Sequence, residues 1–135
     1  MNAETFDLKK HGKDIKEWVS TGITDMSAVT FANNFGQYTA QKKMPTSQIR
    51  NVFGEMRRIQ MRGFNLERTA FILLKPKLAY AVKRNRNDIM RDFYWFFEKA
   101  HDAVSLNDVG AEIRFDNFIS LVEAITAYHK FYERD

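Results

Sequence analysis

The sequence predicts an all-α protein, a compact single-domain bundle of five to six helices. Three observations lead there. Apolar residues recur at three- and four-residue steps along most of the chain, as helices with one buried stripe require. Nowhere does a period-two alternation persist as a strand would need. The polar connections between these stretches are a few residues long, which favours antiparallel neighbours. At 135 residues, 44% of them hydrophobic and twelve of them Phe, the chain can bury one core but is too short to promise two.

Residues 1–12 are polar and short on periodicity, which predicts a frayed end. A first helix begins near Asp7 or Lys13 and carries Ile15, Trp18 and Val19 as a modest stripe. A second is predicted from Asp25 to Lys42 through Met26, Val29, Phe31, Phe35 and Tyr38, although Asn33, Asn34 and Gly36 are poor helix formers. Pro45 cannot continue it. Thr46 offers a hydroxyl to cap a third helix, Ser47 to about Arg62, whose Ile49, Val52, Phe53, Met56 and Ile59 share one face, and Gly63 ends it.

Asn65 is placed as the cap of a fourth helix, Leu66 to about Asn85. Its Phe71, Ile72, Leu73 and Leu74 go nearly all the way round, the pattern of a central, covered helix. Pro76 should kink its axis, because the ring removes one intrahelical bond and crowds the carbonyl four residues back. A mild kink leaves Arg68, Lys75 and Arg86 on one face and Lys77 and Arg84 on another. The fifth helix opens at Asn87 or Asp88 and runs to about Leu106 on Ile89, Phe93, Phe96, Phe97, Ala100 and Val104. After a polar loop with Asn107, Asp108 and Gly110, the last helix runs from about Ile113 to Glu133 over Phe115, Phe118, Ile119, Val122 and Ile125. No internal repeat, low-complexity segment or long linker interrupts the series.

Charge is where the chain is unusual. Lys42 to Arg86 holds twelve basic residues against Glu55 and Glu67, a local net of +10, whereas the other ninety residues carry a net of −6. An ordinary exposed helix mixes signs at three- and four-residue steps, because like charges there repel. The third helix instead has four Arg (50, 57, 58 and 62) and one Glu, with Arg50 and Arg57 stacked seven residues apart opposite the apolar face. Such one-signed polarity is the footprint of a polyanion surface, and the guanidinium fork suits phosphate. Aromatic residues are scarce on this face, so the binding expected is to the backbone and blind to sequence.

Catalytic signatures are missing. His11, His101 and His129 form no metal-ligand spacing. His101-Asp102 reads as a surface pair on the polar side of the fifth helix, and His129 as a core or interface histidine. The Arg-x4-His spacing of helical ribonucleases is absent, since Phe6, Phe96 and Ala124 stand five before the histidines. The six glycines stand singly, so there is no phosphate loop, and no acidic cluster lies in the basic stretch to hold Mg²⁺. We therefore expect no catalytic residue, metal or cofactor. The absence of cysteine fits a reducing compartment. With no run of about 18 apolar residues and a charged first twenty, the expectation is a soluble cytoplasmic protein without a membrane partner.

Thr46-Ser47-Gln48-Ile49-Arg50 with Phe53, then Leu78-Ala79-Tyr80-Ala81 with Arg84, then Phe118 leading into Leu121 to Lys130, resembles the small helical subunit of type III-A CRISPR effector complexes, the Csm family. The similarity spans about Thr46 to Lys130. It implies a non-catalytic all-α bundle that assembles in several copies head to tail along the crRNA–target RNA duplex, beside the backbone and large subunits of the complex. By position it implies Arg50, Lys75, Lys77 and Arg84 as RNA contacts; Arg57 and Arg58 join them on the charge argument alone. Tyr128, His129 and Lys130 fall in the family's terminal block, with a packing or interface role. Charge asymmetry further suggests that Asp88, Asp92, Glu112 and Asp116 meet a neighbour's basic end.

Two other readings stand beside it. The turn before Thr46 and the Arg-rich helix after it fit the second half of a DNA-binding helix-turn-helix, with only Gln48 and Arg50 suited to base edges. A protein-interaction bundle would instead turn its basic face to an acidic partner.

Overall fold

A computed structural model describes residues 6–85 and 87–133. Six helices follow a short 3-10 turn at Leu8–His11: α1 Gly12–Thr21, α2 Met26–Gln41, α3 Thr46–Arg62, α4 Arg68–Asn85, α5 Asp88–Val104 and α6 Ala111–Tyr132. No strand occurs among the described residues. Start signals are built as local chemistry dictates. The Asp25 carboxylate accepts from the Ser27 N–H at 2.9 Å, and the Asn87 side chain accepts from the Ile89 N–H at 3.0 Å. Gly63, at φ 110°, closes α3 in a conformation that side chains avoid.

The helix at the centre is α6. It packs against α1, α2, α3 and α5, and it buries Phe115, Phe118, Ile119, Leu121, Val122 and Ile125 completely or nearly so. The helices α3, α4, α5 and α6 close a cycle of neighbours, with α1 laid on α5 and α6 and α2 laid on α6. Gly36 shows why a poor helix former sits in the middle of α2. A Cβ there would lie 2.6 Å from the Tyr128 Cβ and 2.8 Å from the His129 N, so only glycine lets the two helix backbones approach. Beside that contact the Tyr132 hydroxyl donates to Asn33 Oδ1 at 2.6 Å.

Four sequence expectations change. The N-terminal segment is anchored from Phe6 onward: its ring, 9% exposed, packs on Phe35 and Tyr38 at 5.7 and 5.3 Å between centroids; residues 1–5 lie outside the described residues. The helix α4 is an outer helix packed mainly on α3 and α5, with Phe71 reaching the Phe115 ring of α6 at 5.4 Å between centroids. Phe71, Leu74 and Leu78 are buried, while Ile72, Leu73 and Tyr80 are exposed, because the all-round apolar run has no helix on its outer side. As expected, it continues through Pro76, which lies on the solvent side where water can replace the missing N–H. Thr46 is the first residue of α3, not its cap: Pro45 takes the cap position and the Thr46 hydroxyl donates to Glu133 at the end of α6. Likewise Asn65 lies in the turn before α4, where its side-chain oxygen accepts from Arg68 at 2.9 Å.

His101 is the fourth change. It is buried, not a surface pair: its ring stacks on Phe71 at 3.9 Å and 1° between planes, and Nε2 donates to the Phe71 carbonyl at 2.8 Å. The helical period placed it one step from the apolar stripe, and the flat face of Phe71 drew it in. Arg114 was unremarkable in sequence yet is also buried; its guanidinium donates to the carbonyls of Val104 at 3.0 Å and Val109 at 2.8 Å, closing the end of α5 onto α6. A cation at a helix C-terminus meets the negative end of the dipole.

Two outcomes follow from this packing. Gly36→Ala should destabilise the fold by about 1–3 kcal/mol through overpacking of α2 on α6. Gly54→Ala, with nothing within 4 Å of its added carbon, should gain about 1 kcal/mol of helix propensity; urea unfolding of the two variants reads both. Burial holds the His101 imidazole below its ordinary value of 6.5, so the unfolded chain takes up the proton first and stability falls as pH drops through 6.5 and below. Urea midpoints at pH 7 and pH 5 should show that decline, and it should be shallower in His101→Gln.

Candidate nucleic-acid interface

The basic stretch folds into the α2–α3 turn, α3, the turn that follows it, and α4. Its cations sort into two groups according to which carboxylates the tertiary structure brings near them. Arg58 meets Glu55 at 3.0 Å and Glu67 at 3.4 Å, and Arg62 meets Glu67 at 2.6 Å. Arg68 meets Asp108 at 2.7 Å, and Lys75 meets Asp102 at 2.5 Å. Hydrogen bonds from Arg62 and Arg58 hold the Glu67 carboxyl below its usual range, and Arg58 does the same for Glu55. Burial works against the charge of Lys75, but its bond to Asp102 outweighs that and raises its pKa.

The second group has no acidic partner within 4 Å among the described residues: Lys42, Lys43, Arg50, Arg57, Lys77, Lys83 and Arg84. Arg50 and Arg57 stand two turns apart on α3 with the exposed Gly54 between them, an open strip along the helix. Arg57 donates to Gln60 Oε1 at 2.8 Å, and Gln60 donates on to Asp116 of α6 at 3.0 Å. Arg84 lies over the exposed Tyr80 ring at 5.7 Å and Lys42 over Tyr38 at 5.8 Å, cation–π contacts that leave the charges outward.

Of the six residues that the sequence singled out, the structure therefore leaves Arg50, Arg57, Lys77 and Arg84 available to an anion and engages Arg58 and Lys75 in ion pairs. They do not converge on one pocket. Arg50 lines a groove between α3 and α6, whereas Lys77 lines one between α3 and α4 together with Gln48, Asn51 and Glu55. Arg86 lies outside the described residues. Gln48 and Arg50, the pair suited to base edges in a helix-turn-helix, open onto different grooves.

Sequence reasoning missed the wall beside Arg50. Ile49, Phe53, Thr126, Ala127 and His129 line a cavity of about 330 Å³ whose surface is almost wholly apolar. At its floor His129, 1% exposed, pairs its Nδ1 with the Thr39 hydroxyl at 2.8 Å. That hydroxyl also donates to the Gly36 carbonyl at 2.9 Å. Among the described residues His129 Nε2 is the buried side-chain polar atom without a hydrogen-bond partner, 3.3 Å from Glu133 Oε2. Lys43 was also missed: it adopts φ 59° in the turn into α3, a left-handed conformation in which a bulky side chain is strained.

No group of three or more His, Asp or Glu side chains among the described residues is placed to hold a metal ion, and no helix is long and apolar enough to cross a membrane. The model of the Csm2 family, type III-A, matches residues 24–135. Neither a curated protein nor a solved structure matches the chain. The match covers most of the sequence, and the chain belongs to this family: it is a small subunit of a type III-A CRISPR complex.

The backbone at Lys43 supplies a test that needs no ligand. Lys43→Gly should stabilise the fold by up to about 1 kcal/mol, because glycine adopts the left-handed turn without strain. Thermal unfolding should register that gain, and an unchanged or lower midpoint would show that the lysine side chain contributes packing of its own.

Proposed function

We propose that this small subunit is a non-catalytic RNA-holding element that lies along the crRNA–target RNA duplex and contacts its phosphates without reading sequence. The observation that carries the reading is the strip of unpaired arginines on α3. Arg50 and Arg57, joined by Lys77 and Arg84 on the α4 side, stay free of carboxylates in a fold that pairs their neighbours Arg58, Arg62, Arg68 and Lys75. Leaving charges of one sign unpaired costs the fold little on the surface, and it makes a strip on which a polyanion can replace counterions.

Assembly in several copies has its own support. One end of the bundle, where Arg68 ties the α3–α4 turn to the α5–α6 loop, exposes Met61, Leu66, Leu106, Val109 and Ile113, with Leu66 84% and Val109 85% accessible. Scattered exposed apolar residues are ordinary, but a group at one end is the mark of a protein contact. The opposite end carries Lys42, Lys43, Lys83 and Arg84, so a head-to-tail neighbour or the backbone and large subunits would meet a charged surface there. Of the carboxylates expected to bridge copies, Asp88 and Glu112 are exposed, whereas Asp92 already accepts from Tyr38 Oη at 2.9 Å and Asp116 from Gln60.

Binding to a single-stranded RNA of arbitrary sequence across a salt series tests the reading. Wild type should bind more weakly as salt rises. Arg50→Ala combined with Arg57→Ala should lower affinity and flatten the slope of log K against log salt by about 0.7 for each contact removed. Lys75→Ala, which removes a cation already paired with Asp102, should change the slope much less. No binding at low salt, or equal loss from the paired and unpaired lysines and arginines, would mean that the strip serves a protein partner instead.

A further inference from the structure

We infer that the cavity between α3 and α6 takes an unstacked nucleobase of the bound RNA, with the adjoining phosphate on Arg50. This deepens the RNA-holding reading and rests on it. The cavity sits directly beside the unpaired Arg50 of the exposed α3 strip, and Arg50 itself lines it. Lys130 stands across it on α6, so cations flank the mouth from both helices. A polyanion chain drawn to those two charges would pass over an apolar opening of about 330 Å³, the low end of the range for small-ligand sites and roomy enough for a planar base.

Chemistry inside favours a base over an aliphatic side chain. Phe53, half-buried, gives the wall an aromatic ring, and base–aromatic contact is tolerant of sequence because every base has a π face. The Glu123 carboxylate at the rim is exposed and accepts hydrogen bonds. Each nucleobase offers N–H donors on its edge; a Leu or Val side chain offers none. A protein anchor would also gain nothing from two flanking cations unless it were acidic.

The groups that form this site are ordered by the rest of the fold. The Thr46 hydroxyl, bonded to Glu133, pins the start of α3 to the end of α6, and Thr39 of α2 fixes the imidazole from behind. The cavity is thus largely formed before any ligand arrives. Ala127, exposed on α6, opens directly onto it, which makes it the position from which to fill the space without disturbing the core.

The test compares a short single-stranded RNA with an oligomer of the same length and charge that lacks bases, using wild type and Ala127→Trp, with thermal unfolding to confirm that the variant is folded. Wild type should prefer the ordinary RNA on the order of tenfold, the scale of one base–aromatic contact. In Ala127→Trp that preference should fall towards unity while the salt slope of the abasic oligomer stays as in wild type. Equal binding of both oligomers by wild type overturns the base site but leaves the phosphate reading intact. A preference that survives in Ala127→Trp also overturns it, assigning the cavity to another occupant such as a protein side chain. If neither oligomer binds in a salt-dependent way, the RNA-holding reading fails and the base site fails with it.

Discussion

The close approach of α2 and α6 at Gly36 is the constraint on which the other positions depend. With no side chain at that point, the α2 backbone lies against Tyr128 and His129, and this fixes how far along α6 each residue sits. From that register Thr39 reaches His129 and Asn33 reaches Tyr132. The opposite side of α6 then presents Glu123, Thr126, Ala127 and Lys130 to α3. A bulkier residue at 36 would move the far wall of the Arg50 cavity as well as the core, because close-packed interiors transmit strain instead of absorbing it.

Electrostatics in this molecule are decided by tertiary structure more than by local composition. A window with a net of +10 looks uniform along the chain, but two of its carboxylate partners arrive from outside it, Asp102 from α5 and Asp108 from the α5–α6 loop, while its own Glu67 folds back from the turn after α3 onto Arg58 and Arg62. They neutralise Arg58, Arg62, Arg68 and Lys75. What remains unpaired is Arg50 and Arg57 on α3, Lys77 in the groove between α3 and α4, and the cations of the α2–α3 turn and the end of α4. These exposed pairs contribute little to stability, so their main consequence is to leave Arg50, Arg57, Lys77 and Arg84, with Lys42, Lys43 and Lys83, as the open positive surface.

Much of this was legible from the sequence and some was not. Helices with a single apolar stripe, such as α3 and α5, were placed to within a residue or two because period and burial agree there. The run Phe71 to Leu74 misled because an all-round apolar pattern states only that partners exist, not that they lie in the same chain. His101 and Arg114 were invisible because a polar residue one step off a stripe is buried only when a particular partner, the Phe71 ring or the α5 carbonyls, comes to it. The same holds for the cavity: Phe53 and His129 are 76 positions apart, and no local pattern joins them. Arg50 and Arg57 were legible because spacing on one helix is a local property. Lys75 looked equivalent to them until Asp102 was seen beside it.

Phosphate contact and a base site divide the binding free energy in different ways. Counterion release makes the phosphate part fade as salt rises, whereas burial of a base against Phe53 and the aliphatic wall of α6 scarcely depends on salt. A surface of few unpaired cations, as here, cannot hold RNA at physiological ionic strength by release alone as firmly as a denser basic patch would. In the proposed reading, an apolar site beside the first of those cations would offset that weakness. It would do so without adding sequence preference, since the wall would meet the face of a base, which all four bases share. Sequence-blind holding therefore does not require that the bases be ignored; it requires that they be recognised through what they have in common.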